Sequence, residues 1–164
     1  MKDNRAYVTY LPILLKLVEQ TDGPILELGM GYSTMILDMM CQQTERGLAS
    51  YENDEKWYKE NLIYKSNYHS INYVEDWDKV PYHVRHWSIA LIDHRPAMRR
   101  RIDAARLKDN VDYILIHDSE PEIDRFYGYS RLYKLFKYRY DYTKCKPNTT
   151  VLSNFIDLSV LDKK

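Results

Sequence analysis

Three stretches of this chain are apolar almost without a break: PILEL at 24–28, WSIALI at 87–92 and VDYILI at 111–116. A strand with one face in water alternates apolar and polar side chains, whereas a strand covered on both faces does not have to. Two weaker strand candidates, Gly47–Glu52 and Ile71–Val74, lie between them. The intervening segments carry apolar residues at helical spacing. Residues 7–20 precede the first run, and Ser33–Gln43, Asp54–Tyr64, Ala97–Leu107 and Arg125–Tyr138 follow the strands. Ser33 or Thr34 is the expected cap of the second helix and Asp54 of the third. Beyond the last helix, Tyr138, Tyr140 and Tyr142 alternate with charged residues, and Thr149–Leu158 follows across Lys146-Pro147-Asn148. This pattern predicts an antiparallel hairpin. Strands alternating with helices predict an α/β three-layer sandwich, its sheet mostly parallel and closed by the C-terminal hairpin.

With 164 residues and no linker or low-complexity tract, residues 1–164 are expected to form a single domain. Twenty-four basic residues balance 24 acidic ones, which argues against the basic footprint of a nucleic-acid binder. No apolar stretch approaches the roughly 20 residues of a membrane span. The N-terminus does not lead into a signal-peptide core, because Lys16 and Glu19 interrupt its apolar residues. Cys41 and Cys145 show neither metal-knuckle spacing nor a disulfide framework. A cytoplasmic protein is the expectation.

In a sheet of this kind, ligands sit outside the carboxyl ends of the strands, where the strand order reverses. The residues at those ends are therefore the functional candidates. They are Glu27-Leu28-Gly29-Met30-Gly31-Tyr32-Ser33-Thr34, Glu52, Asp76-Trp77, Asp93-His94 and His117-Asp118. Only five glycines occur in the chain, so two of them spaced G-x-G mark a backbone constraint. A dinucleotide fingerprint would need a third glycine where Thr34 stands, which disfavours an NAD-type oxidoreductase.

Glu27, Gly29, Gly31 and Ser33 instead match E/D-x-G-x-G-x-S/T, and the chain resembles the class I S-adenosylmethionine-dependent methyltransferases over its whole length. The resemblance implies a Rossmann-like fold and S-adenosyl-L-methionine as cofactor. It implies that Gly29 and Gly31 admit the cofactor to the backbone and that Ser33 and Thr34 meet its carboxylate. Glu27 would then lie near its amino group or order the loop, and Glu52 would take both ribose hydroxyls. Asp76 and Trp77 would contact adenine, and Tyr51 and Trp57 are expected to pack against the sheet.

Methyl transfer needs the acceptor held in line with the methyl group, and a hydroxyl acceptor gains from a general base. Histidine is the side chain best suited near neutral pH. His117, leaving the last apolar run, is the expected base, with Asp118 as its partner and Asp93 beside them. Some relatives of catechol type hold a divalent cation at these strand ends, and Asp93 and Asp118 are the candidate ligands. The chain departs from that pattern by carrying His117-Asp118-Ser119 where those enzymes have an Asp-Asn pair. Some members of the family with a minimal fold and a His-Asp after the fifth strand act on sugar hydroxyls. The expected acceptor is therefore a carbohydrate or another small molecule. Arg99, Arg100 and Arg101 read as a solvated helix face more than an anion site, and the tyrosines from Tyr127 to Tyr142 as packing or a homodimer face more than an aromatic wall for a sugar or ring. A binding protein without catalysis is the competing class.

Overall fold

The computed structural model describes residues 8–162; residues 1–7, where the N-terminal stretch of the leader expectation begins, and residues 163–164 lie outside the described residues. In chain order the elements are α1 (Leu11–Glu19), β1 (Ile25–Leu28), α2 (Tyr32–Gln43), β2 (Leu48–Glu52), α3 (Glu55–Asn61), β3 (His69–Tyr73) and β4 (Trp87–Ile92). There follow α4 (Ala97–Leu107), β5 (Val111–His117), α5 (Asp124–Tyr127), α6 (Tyr129–Leu132), β6 (Tyr138–Tyr142) and β7 (Thr149–Ser153). The sheet runs β3-β2-β1-β4-β5-β7-β6. The first five strands are mutually parallel, and β7 returns antiparallel to β5 and β6. The expected α/β sandwich with its closing hairpin is the observed fold.

The unbroken apolar runs are explained by the two cores. Leu26, Leu28, Ala90, Ile92, Ile114 and Ile116 face one of them. Ile25, Ile89, Leu91, Tyr113 and Leu115, the alternate positions, face the other. Both faces are covered, so both sets are largely apolar. Leu91 is fully buried. Replacing it with alanine should cost about 2–5 kcal/mol in urea denaturation, through lost transfer energy plus a cavity. A cost under about 1 kcal/mol would show that this face is not closely packed.

Three local expectations need correction. The helix expected at 125–138 is broken into α5 and α6, because Gly128 adopts a left-handed conformation (φ 69°) that ends a helix. α2 starts at Tyr32 with Gly31 as cap, so Ser33 and Thr34 lie inside the helix; Thr34 Oγ1 reaches back to accept the Gly31 N–H at 2.9 Å. The third strand begins at His69 rather than Ile71. Asp54 does cap α3, accepting from the N–H groups of Lys56 and Trp57. Among the described residues, no helix is long and apolar enough to cross a membrane.

Candidate active site

The strand order reverses between β1 and β4, whose connections leave to opposite sides. At the carboxyl ends of these strands lies a cavity of about 500 Å³, walled in part by Gly29, Met30, Gly31, Ser33, Glu52 and Trp57 on one side. Asp93, Arg100, His117, Asp118, Tyr127 and Tyr10 wall the other side.

Gly29 has φ 98°, a conformation side chains rarely adopt. A Cβ there would also stand 2.6 Å from the His94 nitrogen. Its constraint is thus the close passage of the β4–α4 turn, not ligand access. Gly31 is the opposite case. A Cβ built on it meets nothing within 4 Å, so the space beside it is open cavity.

Glu52 binds backbone with both oxygens. Oε2 accepts the Met30 N–H at 2.7 Å, and Oε1 accepts those of Asn53 and Asp54 at 2.8 and 2.7 Å. It therefore ties the end of β2 to the glycine loop while lining the cavity. Burial raises its pKa despite those three donors.

Glu27 and Thr34 are fully buried and do not line the cavity, so Thr34 is not placed to meet a carboxylate and, of the two places expected for Glu27, the geometry is that of a residue ordering the loop. Glu27 Oε1 accepts the Ser33 hydroxyl at 2.5 Å, and Oε2 lies 2.6 Å from Ser50 Oγ. Ser50 Oγ lies 2.8 Å from His69 Nε2, and His69 Nδ1 lies 2.9 Å from Asp38 Oδ1. Burial pushes the Glu27 carboxyl up to about 7 from 4.5, although the hydroxyls of Ser33 and Ser50 oppose it. Between those two pH values the folded protein keeps a proton that the unfolded chain has released. Its stability should therefore fall as pH rises through that window. Glu27→Gln should flatten this slope in urea titrations at successive pH values; an unchanged slope would place the proton elsewhere.

Asp76 and Trp77 do not line the cavity either. Asp76 caps a short 3-10 turn by accepting the Asp78 N–H at 3.0 Å. Trp77 is buried, with its ring centroid 4.1 Å from that of His94 and Nε1–H donating to the Arg95 carbonyl. The tryptophan on the cavity wall is instead Trp57 of α3, which is 40% exposed.

The β4 and β5 ends converge, as expected. His117 Nδ1 lies 3.4 Å from Asp93 Oδ2 and 3.7 Å from Asp118 Oδ1. Asp118 holds φ 55°, strained for a residue with a side chain, which marks a geometry the surroundings impose. Arg100, expected on a solvated helix face, is instead buried between the two acids. Its Nη1 lies 2.9 Å from Asp93 Oδ1 and 2.9 Å from Asp118 Oδ2. Its Nε donates to the His94 carbonyl at 2.7 Å and Nη2 to that of Asp93 at 3.0 Å. The Tyr127 hydroxyl donates to Asp118 Oδ2 at 2.9 Å, so this tyrosine is cavity wall rather than packing alone. Burial pushes the Asp118 carboxyl up, but the charges of His117 and Arg100 outweigh it and leave the pKa lowered. Behind His117, Thr9 Oγ1 donates to the Pro147 carbonyl at 2.8 Å and lies 2.9 Å from His117 Nε2. The Tyr10 ring meets the imidazole edge-on, centroids 5.0 Å apart.

One atom each of Asp93, His117 and Asp118 lie within 4.8 Å of one another, a spacing a divalent ion could use. The donor set fits such an ion poorly, because Arg100 already places a positive charge in contact with both carboxylates and would repel a second cation there.

Comparison of the sequence with protein-family models and with curated proteins returns no match. Comparison with solved structures returns many. The O-methyltransferase TomG from Streptomyces achromogenes, solved in complex with SAM, superposes with a TM-score of 0.65 at 13% identity, covering 92% of this chain and 81% of that one. The N-terminal domain of human METTL16 in complex with SAH gives 0.64 at 11% identity, covering 92% and 71%. The human methyltransferase 10 domain containing protein gives 0.63 at 11% identity, covering 93% and 83%. The fold is that of the class I methyltransferases. In the class I methyltransferase fold of this chain, Glu52, the glycine loop and the paired ends of β4 and β5 all open on one cavity.

Proposed function

We propose that this chain is an S-adenosylmethionine-dependent methyltransferase acting on a hydroxyl of a sugar or other small molecule, with His117 as general base. The observation that carries this reading is convergence: His117, Asp93 and Asp118 share one cavity with Gly31, Ser33 and Glu52. Among structures of the same fold, the O-methyltransferase TomG is solved with SAM and the METTL16 domain with SAH. The open space beside Gly31 suits a ligand laid along the loop, and Glu52 and Trp57 flank it with an acceptor and an aromatic face.

S-adenosylmethionine, when bound, supplies a methyl group on a cationic sulfur. The residues of this chain supply the rest. Glu52 fixes the glycine loop to the end of β2, so its contacts are preformed. Arg100 bridges Asp93 and Asp118 through one nitrogen and so fixes both beside the imidazole. His117 takes the proton from the acceptor hydroxyl, and the two carboxylates stabilise the imidazolium that results.

Calorimetric titration with S-adenosylhomocysteine and with NAD tests the reading. Binding of the first alone supports it; binding of NAD alone indicates an oxidoreductase, and binding of neither a protein without catalysis. Glu52→Ala should weaken S-adenosylhomocysteine binding by about 1.5–3 kcal/mol, the scale of hydrogen bonds to a charged group. Unchanged affinity in the folded variant would remove Glu52 from the site. Activity should survive exhaustive dialysis against a chelator, because Arg100 supplies the cationic partner of both acids. Loss of activity restored by a divalent ion would return the metal to the mechanism.

A further inference from the structure

His117 has two ring nitrogens, and only one can be the base. The choice is settled by a residue outside the strand ends. Thr9, just before α1, gives its single hydroxyl hydrogen to the Pro147 carbonyl at 2.8 Å. A hydroxyl whose hydrogen is so committed can only accept from a further partner. That partner is His117 Nε2 at 2.9 Å, which must therefore carry a hydrogen. Thr9 is 9% exposed and His117 4%, so bulk water does not compete freely for either group.

We propose that Thr9 is a positioning residue that keeps His117 Nε2 protonated through the Thr9–Pro147 hydrogen bond, leaving Nδ1, the nitrogen facing Asp93 and Asp118, as the atom that receives the acceptor's proton. The assignment changes the role of the carboxylates. Asp118, the expected orienting partner of the base, stands on the side of Nδ1 instead, 3.7 Å away, with Asp93 at 3.4 Å. Orientation comes from the opposite edge of the ring, through Thr9, and from Tyr10 against the ring itself. The carboxylates are left to stabilise the new N–H. The proton balance is complete within this arrangement. As the acceptor oxygen gains the methyl carbon and the methyl–sulfur bond breaks, the oxygen's proton passes to Nδ1. The positive charge lost from sulfur reappears on the imidazole. Nothing in the motif-bearing strand ends points to Thr9; it is found only by following the second nitrogen of His117 outward.

The inference about catalysis rests on the proposed methyltransferase function, but the tautomer does not and can be measured alone. Long-range ¹H–¹⁵N correlation spectra of the whole chain, labelled at histidine nitrogens, distinguish the two neutral tautomers. His117 is assigned by the signal lost in His117→Gln. At a pH where the ring is neutral, the wild-type spectrum should show the hydrogen on Nε2. Thr9→Val keeps the shape and removes the acceptor. It should move the ratio of tautomers toward Nδ1–H by about tenfold, the equivalent of one net hydrogen bond. Thr9→Ser should restore the wild-type ratio. S-adenosylhomocysteine affinity should stay unchanged in both variants, since Thr9 does not line the cavity. A wild-type ring protonated on Nδ1 would overturn the proposal, as would a folded Thr9→Val protein with an unaltered ratio. If Thr9→Val does not fold, the wild-type spectrum and Thr9→Ser still decide. A wild-type Nε2–H tautomer in a protein that binds no S-adenosylhomocysteine would uphold the positioning and refute the methyltransferase reading.

Discussion

Replacing His117 with alanine should lower turnover by about 10²–10⁴-fold while leaving S-adenosylhomocysteine affinity nearly constant, the range that a positioned general base contributes. The split follows from where the imidazole sits. It belongs to the β4–β5 side of the cavity, against Asp93 and Asp118, whereas Glu52 and the glycine loop make up the other side. Its neighbours are held without it: Arg100 keeps both carboxylates in place, and Tyr127 donates to Asp118. The variant should therefore fold and bind. Single-turnover rates with a hydroxyl acceptor would check this. Wild-type turnover would mean that no base is needed or that Asp93 serves. A parallel loss of ligand affinity and rate would make His117 structural.

Arg100→Met should destabilise the fold by about 3 kcal/mol, the low end of the cost of breaking a buried pair, because the two carboxylates it leaves are half-buried on the cavity wall. The side chain is 8% exposed, so solvent screens little of the effect. Burial alone would favour the neutral guanidine, but Asp93 and Asp118 outweigh it and hold the group charged. Removing it would leave two carboxylates side by side at the ends of β4 and β5 and would strip the Asp93 and His94 carbonyls of their donor. Urea denaturation measures the loss. Arg100→Met combined with Asp93→Asn should recover part of it, because Asp118 then faces an amide instead of a charge. A loss under about 1 kcal/mol would show that water or rearrangement satisfies both acids without Arg100.

The sheet was legible because burial on both faces leaves a signature in composition: β1, β4 and β5 are apolar at odd and even positions alike. The polar strand ends were legible for the same reason, as abrupt stops to those runs. What escaped was polar burial. Arg100 sits among charged neighbours and reads as solvent-facing, yet the buried positions of α4 are Arg100, Asp103, Ala104 and Leu107, an ordinary helical stripe. Extending the stripe back from Leu107 would have placed Arg100 inward. The same blindness displaced the start of β3, because His69 is buried by its bonds to Ser50 and Asp38 rather than by apolar character. Gly128 carried a usable signal, a lone glycine within a helical pattern, for the break between α5 and α6. Thr9 carried none, since its partners His117 and Pro147 are remote in sequence. Asp76 and Trp77 were misplaced because position after a strand does not say which way the following turn bends.

The chain of groups from Asp38 through His69 and Ser50 to Glu27 spans three hydrogen-bond gaps. A neutral imidazole and one hydroxyl bring two hydrogens to fill them, so a third resides there whenever all three gaps are closed. Its seat decides which way the Ser50 hydroxyl points. With the third hydrogen on Glu27, the hydroxyl turns to His69 and the carboxyl is neutral. With it on His69, the hydroxyl turns to Glu27, which then bears a full negative charge bonded to Ser33, just beyond the glycine loop. The electrical character of the ground beneath that loop can therefore change by a whole unit while no proton is exchanged with the solvent.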